Sequence, residues 1–346
     1  MPLPQNTFDH PSLTADTNAA RWVACDESGW DGEQLLNGKR HMVYASVAID
    51  DANASPIVED LRRSVGATQA PELKFGSFKN RPHRLKALRD LWGPGGALDG
   101  RCSVYVVDKE YCVVAKVIDL LLEEEANSAG TDLYANGQAQ HMARTLATQG
   151  RRALREAGFA RLLKAFVALA SARGRKDPEA AVELLYQELE TAWAASTRRN
   201  VTDILFQLRS TRLHAAKFHE DHVPFGMLEM LVPALGQVAR HWASLLGPIH
   251  VLADEQRSFT DQVLEYLGPQ LRRTWGATPS SIVPGRPVRS IVRGVSTAHP
   301  SIQLADLLAG AAVAAVGNGL GHQHSDAGDY LWPSISPLVD PYALLP

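Results

Sequence analysis

Four carboxylates stand where a carboxylate is expensive. Asp26 ends the run Trp-Val-Ala-Cys-Asp, Asp254 ends Ile-His-Val-Leu-Ala-Asp, Asp306 sits within Gln-Leu-Ala-Asp-Leu-Leu-Ala-Gly, and Glu72 sits within Pro-Glu-Leu-Lys-Phe. A charge in apolar surroundings costs several kcal/mol unless it is paired or bound to a metal. Gathered in one pocket, four such groups repel one another, and divalent cations are what would quiet them. Two cations roughly 4 Å apart form a phosphoryl-transfer centre: one lowers the pKa of an attacking water, the other stabilises the departing oxygen. Lys74 would neutralise charge on the phosphate, and Gln303 would orient a ligand or water. Such chemistry needs no nucleophilic side chain, and the sequence has no convincing Ser-His-Asp or Cys-His setting.

The elements that must position these groups can be read from periodicity. Side chains alternate along a strand, so Trp22, Ala24 and Asp26 share one face and Val23, Cys25 and Glu27 the other. Asp26 is therefore the expected ligand and Glu27 a supporting or edge group. Ser28 and Gly29 are turn-prone and leave the strand end open. Asp254 shares a face with Leu252 at the carboxyl end of an apolar strand, which is where α/β sheets place ligand chemistry. If residues 71–75 are extended, Glu72 and Lys74 point one way while Leu73 and Phe75 turn inward; the plainer alternative is a surface ion pair. On the last long helix Gln303, Asp306 and Gly310 recur at i, i+3 and i+7 and line one side. The rest of that helix is Ala, Leu, Val and Gly, so it can lie close to a sheet and bring Asp306 near Asp26.

Strands are expected at residues 22–26, 41–49, 102–107 (ending at Asp108), 249–252 and 288–295, with turn chemistry over 29–38. Helical spacing appears at 56–65, 81–92, 114–125, 137–146, 151–172, 178–196, 225–246, 260–273 and 300–316. Strands at both ends with helices between them imply a split α/β core carrying a helical insertion. The expected boundaries are a loose tail over 1–18, a core over 19–112 and 248–318, a helical insertion over 113–247, and a C-terminal extension over 319–346.

The runs Asp26-Glu27-Ser28-Gly29, Glu72-Leu73-Lys74, Asp108-Lys109, Asp254-Glu255 and Gln303-Leu304-Ala305-Asp306-Leu307 together resemble a ribonuclease-H-like family, the domain-of-unknown-function 3800 family. The similarity covers roughly residues 20–112 and 248–316. It implies a ribonuclease-H-like mixed sheet flanked by helices. In that superfamily a central-strand Asp, a Glu, a later-strand Asp and a C-terminal-helix Asp bind two Mg²⁺ or Mn²⁺ ions. Carried over, these are Asp26, Glu72, Asp254 and Asp306. Asp108 also ends a strand and competes with Asp254 for the third place.

The chain has 346 residues, with 35 basic and 38 acidic side chains and a formal charge of −3. It is no polycation, so affinity for RNA or DNA must come from local patches. Two strips qualify. One runs from Arg151, Arg152 and Arg155 through Arg161, Lys164, Arg173, Arg175 and Lys176. The other comprises Arg272, Arg273, Arg286, Arg289 and Arg293. The plainer reading of each is a solvated face. Cys25, Cys102 and Cys112 have no Cys-x-x-Cys spacing and read as buried reduced thiols. His214, His219 and His222 are interleaved with charged residues and read as a polar helix end, not a zinc site. Gly93–Gly96 is a turn, and the segment around Trp332 is expected to pack back on the core.

The first residues lack a secretory pattern, and the apolar run 307–316 is too short to cross a bilayer. A cytoplasmic protein without membrane contact is expected. The sequence thus points to a divalent-metal-dependent nuclease. Its rivals are a non-catalytic interaction module, with the helical insertion as a protein-partner surface, and a phosphohydrolase acting on small phosphoesters.

Overall fold

The computed structural model describes residues 21–171, 176–216, 225–272 and 288–346. In chain order its elements are β1 (Arg21–Ser28), β2 (His41–Val47), α1 (Asp51–Ser64), α2 (Pro82–Trp92), β3 (Cys102–Asp108), α3 (Lys109–Val117), a π-helical stretch (Ile118–Glu123), α4 (Glu124–Ser128), α5 (Gln138–Ala170), α6 (Pro178–Ala195), α7 (Arg199–Ser210), α8 (Arg212–Ala216), α9 (Leu231–Leu246), β4 (Ile249–Asp254), α10 (Asp261–Arg272), β5 (Val288–Gly294), α11 (Pro300–Gly319) and α12 (Asp326–Ile335). The expected tail 1–18, together with Arg173, Arg175, His219, His222, Arg273 and Arg286, lies outside the described residues.

The fold is mixed α/β, with a five-stranded mixed sheet flanked by helices. It divides into two compact units. Residues 31–40, 107–229 and 344–346 form one; the remaining described residues form the other, which holds the sheet. Strand order is β3-β2-β1-β4-β5, so β1 is central. It pairs antiparallel with β2 and parallel with β4, and β4 pairs parallel with β5. All seven residues of β2 are buried. A strand covered on both faces shows a continuous apolar run instead of alternation.

Helix α11 lies on one face of the sheet, where Ala24 of β1, Leu252 of β4 and Ile302 of α11 form a buried contact. This helix is long and apolar enough to cross a membrane by composition alone, but most of it is buried against the rest of the unit. On the other face Trp242 of α9 donates to Ser46 Oγ at 2.8 Å, and Phe259 meets Tyr44 edge-on at 6.4 Å. Helix α9 was expected in the insertion but belongs to the sheet unit. Its apolar stripe, Leu231, Leu235, Val238 and Trp242, is buried there. It begins at Leu231 rather than 225. Helix α1 begins at Asp51 rather than 56, because Asp50 caps it by accepting from the Asn53 N–H at 2.8 Å, a stronger start signal than Pro56. The C-terminal extension forms α12, capped by Ser325. It packs on α11 so closely that a Cβ on Gly319 would lie 2.3 Å from Trp332.

The helical unit is held by α5, which packs against α3, α6 and α7. The segments expected at 137–146 and 151–172 are one element kinked at Arg155, whose φ of 58° and ψ of 159° lie outside the helical region. Residues 31–40 join this unit because Asp31 pairs with the fully buried Lys109 at 2.6 Å and Arg40 pairs with Asp108 at 2.9 Å.

A positive φ of this kind at a residue with a side chain costs about 1–3 kcal/mol, and glycine relieves it at an entropic cost of about 0.5–1 kcal/mol. Arg155→Gly is therefore expected to stabilise the protein by about 1 kcal/mol. Chemical denaturation should show a higher midpoint at unchanged slope.

Candidate active site

The contact of Ala24, Leu252 and Ile302 fixes where the acids fall. Ala24 and Leu252 are register partners. Two residues on along each strand, on the same face, come Asp26 and Asp254; one helical turn on from Ile302 comes Asp306. The three carboxylates therefore emerge from the central strand, its parallel neighbour and the covering helix. Their charges act on one another: Asp254 and Asp306 both raise the pKa of Asp26.

Glu72 reaches the same place from a loop, not from a strand. Residues 70–75 run along the Gln303-Asp306-Gly310 side of α11. Arg62 of α1 donates to the Ala70 and Pro71 carbonyls and, at 3.1 Å, to Gln303 Oε1. Lys74 Nζ lies 2.8 Å from Glu72 and 3.1 Å from Asp306. Phe75 packs so close to Gly310 that a Cβ there would sit 2.6 Å from the Phe75 Cβ. Glu72 and Lys74 thus point one way and form an ion pair, while Leu73 is buried. Lys74 bridges two acids of the site.

Ser296, in the loop between β5 and α11, was not anticipated. Its hydroxyl donates to Glu72 Oε1, its carbonyl accepts from Gln303 Nε2 at 2.8 Å, and its backbone N–H works against the burial that raises Asp254. The only sequence signal was its place just ahead of the Gln303-Asp306 helix. The start of that helix is fixed by Asp51, which accepts from the Ser301 N–H at 3.1 Å, the Ser301 hydroxyl at 2.6 Å and His299 Nδ1 at 2.6 Å.

Electrostatics follow from this layout. Burial pushes Asp26 up to about 10, with Glu27, Asp254 and Asp306 adding repulsion and the Glu27 N–H only partly offsetting it. Burial also raises Glu27, Asp254 and Asp306. Glu72 is the exception. Burial opposes ionisation, but hydrogen bonds from Lys74 and Ser296 and the charges of Lys74 and Arg62 outweigh it and hold this carboxyl low. Lys74 is held protonated: Glu72 and Asp306 overcome the effect of its partial burial.

Strict alternation separates Glu27 from Asp26, yet both lie near enough to Asp254 and Asp306 to be perturbed by them. Glu27 pairs in register with Tyr44. Among the described residues, Glu27 Oε2 and the Tyr44 hydroxyl are buried oxygens without a hydrogen-bond partner; Asp306 Oδ2 likewise has no hydrogen bond and meets the Lys74 ammonium. Ser28 stands half-buried at the open end of β1. Beyond it Gly29 has φ of +85°, and a Cβ there would lie 2.3 Å from the His41 carbonyl oxygen. This donor set is all oxygen, which suits Mg²⁺ or Mn²⁺ better than a soft metal. Among the described residues no three of these carboxylates bring their oxygens within 4.8 Å of one another.

Asp108 does not join them. It belongs to the helical unit and uses both oxygens there, Oδ1 accepting from the Tyr111 N–H at 3.0 Å and Oδ2 from Arg40 at 2.9 Å. Asp254 is the strand-end Asp that lies near Asp26. Of the arginines, Arg151 is occupied by Glu110 and Glu156, and Arg293 by Asp261 and the Phe259 carbonyl. Arg152, Arg155 and Arg289 are exposed.

The Asp26 shift carries a sign. Its unfolded value is about 3.9 and its folded value about 10, so the folded state keeps a proton that the unfolded state releases in between. Stability supplied by the other contacts therefore falls as pH rises through that window. In chelator, Asp26→Asn should be more stable than the wild type at pH 8, by on the order of 1 kcal/mol or more. The two should nearly coincide at pH 4. Thermal melts at both pH values measure the difference, and equal gains at both would contradict the assignment.

No family model matches the chain, and no curated protein or solved structure is found to be similar to it.

Proposed function

We propose that the protein is a ribonuclease-H-like, divalent-metal-dependent nuclease that hydrolyses phosphodiester bonds of RNA or DNA, related to the domain-of-unknown-function 3800 family. The observation that carries this reading is the convergence of Asp26, Asp254 and Asp306 from a central strand, a later strand and a C-terminal helix. That is the placement the family resemblance implies, with Glu72 as the fourth acid. Asp26, Asp254, Asp306 and Glu72 would hold two Mg²⁺ or Mn²⁺ ions, with Glu27 beside them. Such ions, when bound, supply an activated water and a charge sink for the leaving oxygen.

The chain's own groups do the rest. The acids fix the position of the charge centre, and their supporting hydrogen bonds keep them oriented. Lys74, half-exposed and protonated, can turn from its carboxylates to a phosphate oxygen. Gln303 is buried and hydrogen-bonded at both ends, so it supports the loops and does not touch substrate. Exposed Arg152, Arg155 and Arg289 offer contacts to a phosphate backbone.

One observation favours the non-catalytic reading. The Lys74 ammonium already bridges Glu72 and Asp306, so part of the acidic charge is balanced by the protein itself. The two readings separate on labelled RNA, single-stranded DNA and RNA–DNA hybrid incubated with Mn²⁺ or with chelator. A nuclease cleaves at least one polymer with Mn²⁺ only, and Asp26→Asn and Asp306→Asn each lower that rate by at least about 100-fold. Unchanged cleavage in both variants removes these acids from the chemistry. Turnover of small phosphoesters with no cleavage of polymers would instead favour the phosphohydrolase.

A further inference from the structure

Ser296 ties an acid of the site to helix α11, from a different part of the chain. Its hydroxyl holds Glu72, from the loop after α1. Its carbonyl is fastened by Gln303 Nε2 at 2.8 Å, and Gln303 Oε1 is fastened by Arg62 Nη2 at 3.1 Å. Arg62 also grips the Ala70 and Pro71 carbonyls, immediately ahead of Glu72. The chain of bonds therefore closes on itself: Glu72, Ser296, Gln303, Arg62 and back to the Glu72 loop. A closed ring of this kind fixes a separation, because no member can move without breaking a bond elsewhere.

We propose that Ser296 is a positioning residue that sets the placement of Glu72 for divalent-cation binding, with Gln303 and Arg62 as its support. This rests on the metal-dependent reading above. Ser296 touches neither cation nor substrate in this role; it acts through the Glu72 carboxylate. Groups that orient metal ligands in this way commonly change metal affinity 10- to 100-fold when removed. A serine that served only the β5–α11 turn would affect folding and leave cation affinity alone.

The test is a Mn²⁺ titration of the full chain followed by its melting temperature, since a cation that binds the folded state must raise it. The wild type, Ser296→Ala, Ser296→Thr and Arg62→Met are compared, each first melted in chelator. Ser296→Ala should need about 10-fold more Mn²⁺ for half the rise, while Ser296→Thr, which keeps the hydroxyl, should return toward the wild-type concentration. Arg62→Met, which retains an aliphatic stem, should shift the midpoint in the same direction and carries the test if Ser296→Ala does not fold. A wild-type midpoint in the foldable members of this pair, with a wild type that does respond to Mn²⁺, overturns the positioning role alone. A wild type that does not respond to Mn²⁺ overturns both this role and the metal-dependent reading.

Discussion

The contact between α11 and the central strands is the constraint on which the rest depends. Ile302 sits on Ala24 and Leu252, and Leu304, Leu307, Leu308, Val313 and Val316 of the same helix are buried as well. At roughly 1.5–3 kcal/mol for each large aliphatic side chain, these six, on a helix that packs against the sheet and against α1 and α12, contribute on the order of 10 kcal/mol to holding it in place. That is an upper estimate, because the unfolded chain already buries some of this surface. It still exceeds the several kcal/mol needed to keep a carboxylate such as Asp26 desolvated. The apolar contact wins, and the acids must accept the positions it gives them. Gly310, one turn beyond Asp306, extends the same logic along the helix, where its missing side chain lets Phe75 and the Glu72 loop come close.

Charge is unevenly compensated across the pocket. Lys74 serves Glu72 and Asp306 directly and lowers Asp254 through its charge. Asp26 receives no such help. Its partner is the N–H of the next residue at 2.7 Å, and its pKa is pushed up to about 10. Glu72 lies at the opposite extreme, held ionised by Lys74, Ser296 and Arg62. A gradient therefore runs from a satisfied acid at the loop edge to an unsatisfied one on the central strand. On the proposed reading, a cation would gain most at the Asp26 end, where no ion pair is made to the acid among the described residues.

Much of this was visible in the residues themselves. The five strands and the last long helix follow from apolar runs and alternation, and the i, i+3, i+7 spacing placed Gln303, Asp306 and Gly310 on one side of α11. What the sequence could not carry was tertiary. Strand alternation separates Asp26 from Glu27, but at an open strand end both remain within electrostatic range of Asp254 and Asp306. Ser296 lies in a loop with no periodicity, and its importance comes from bonds to Glu72, far away in the chain, and to Gln303. The kink at Arg155 has no helix-breaking residue at its own position, so it falls inside the segment expected at 151–172, while the expected break at 147–150 is helical. Helix α9 carries an apolar stripe like its neighbours in sequence, and nothing local says that the stripe faces a sheet.

Asp108 and Asp254 show how one local pattern meets two fates. Each ends an apolar strand, and each offers two carboxylate oxygens at the strand's carboxyl end. After Asp108 a helix starts at once, and the free N–H groups of its first turn need an acceptor. Asp108 becomes that acceptor, as the cap bonded to the Tyr111 N–H, while Arg40 takes the second oxygen. After Asp254 no helix follows until Asp261. The Glu255 N–H goes instead to the Gly294 carbonyl of the neighbouring strand at 2.8 Å, and the Asp254 carboxylate remains near enough to Asp26 to raise its pKa. What distinguishes the two is the residues after the Asp, not those before it. A strand-end acid followed directly by helical periodicity is claimed by the helix, whereas one followed by a loop stays available for chemistry. By that criterion the choice between Asp108 and Asp254 could have been made from the spacing of Tyr111, Val114 and Val117 alone.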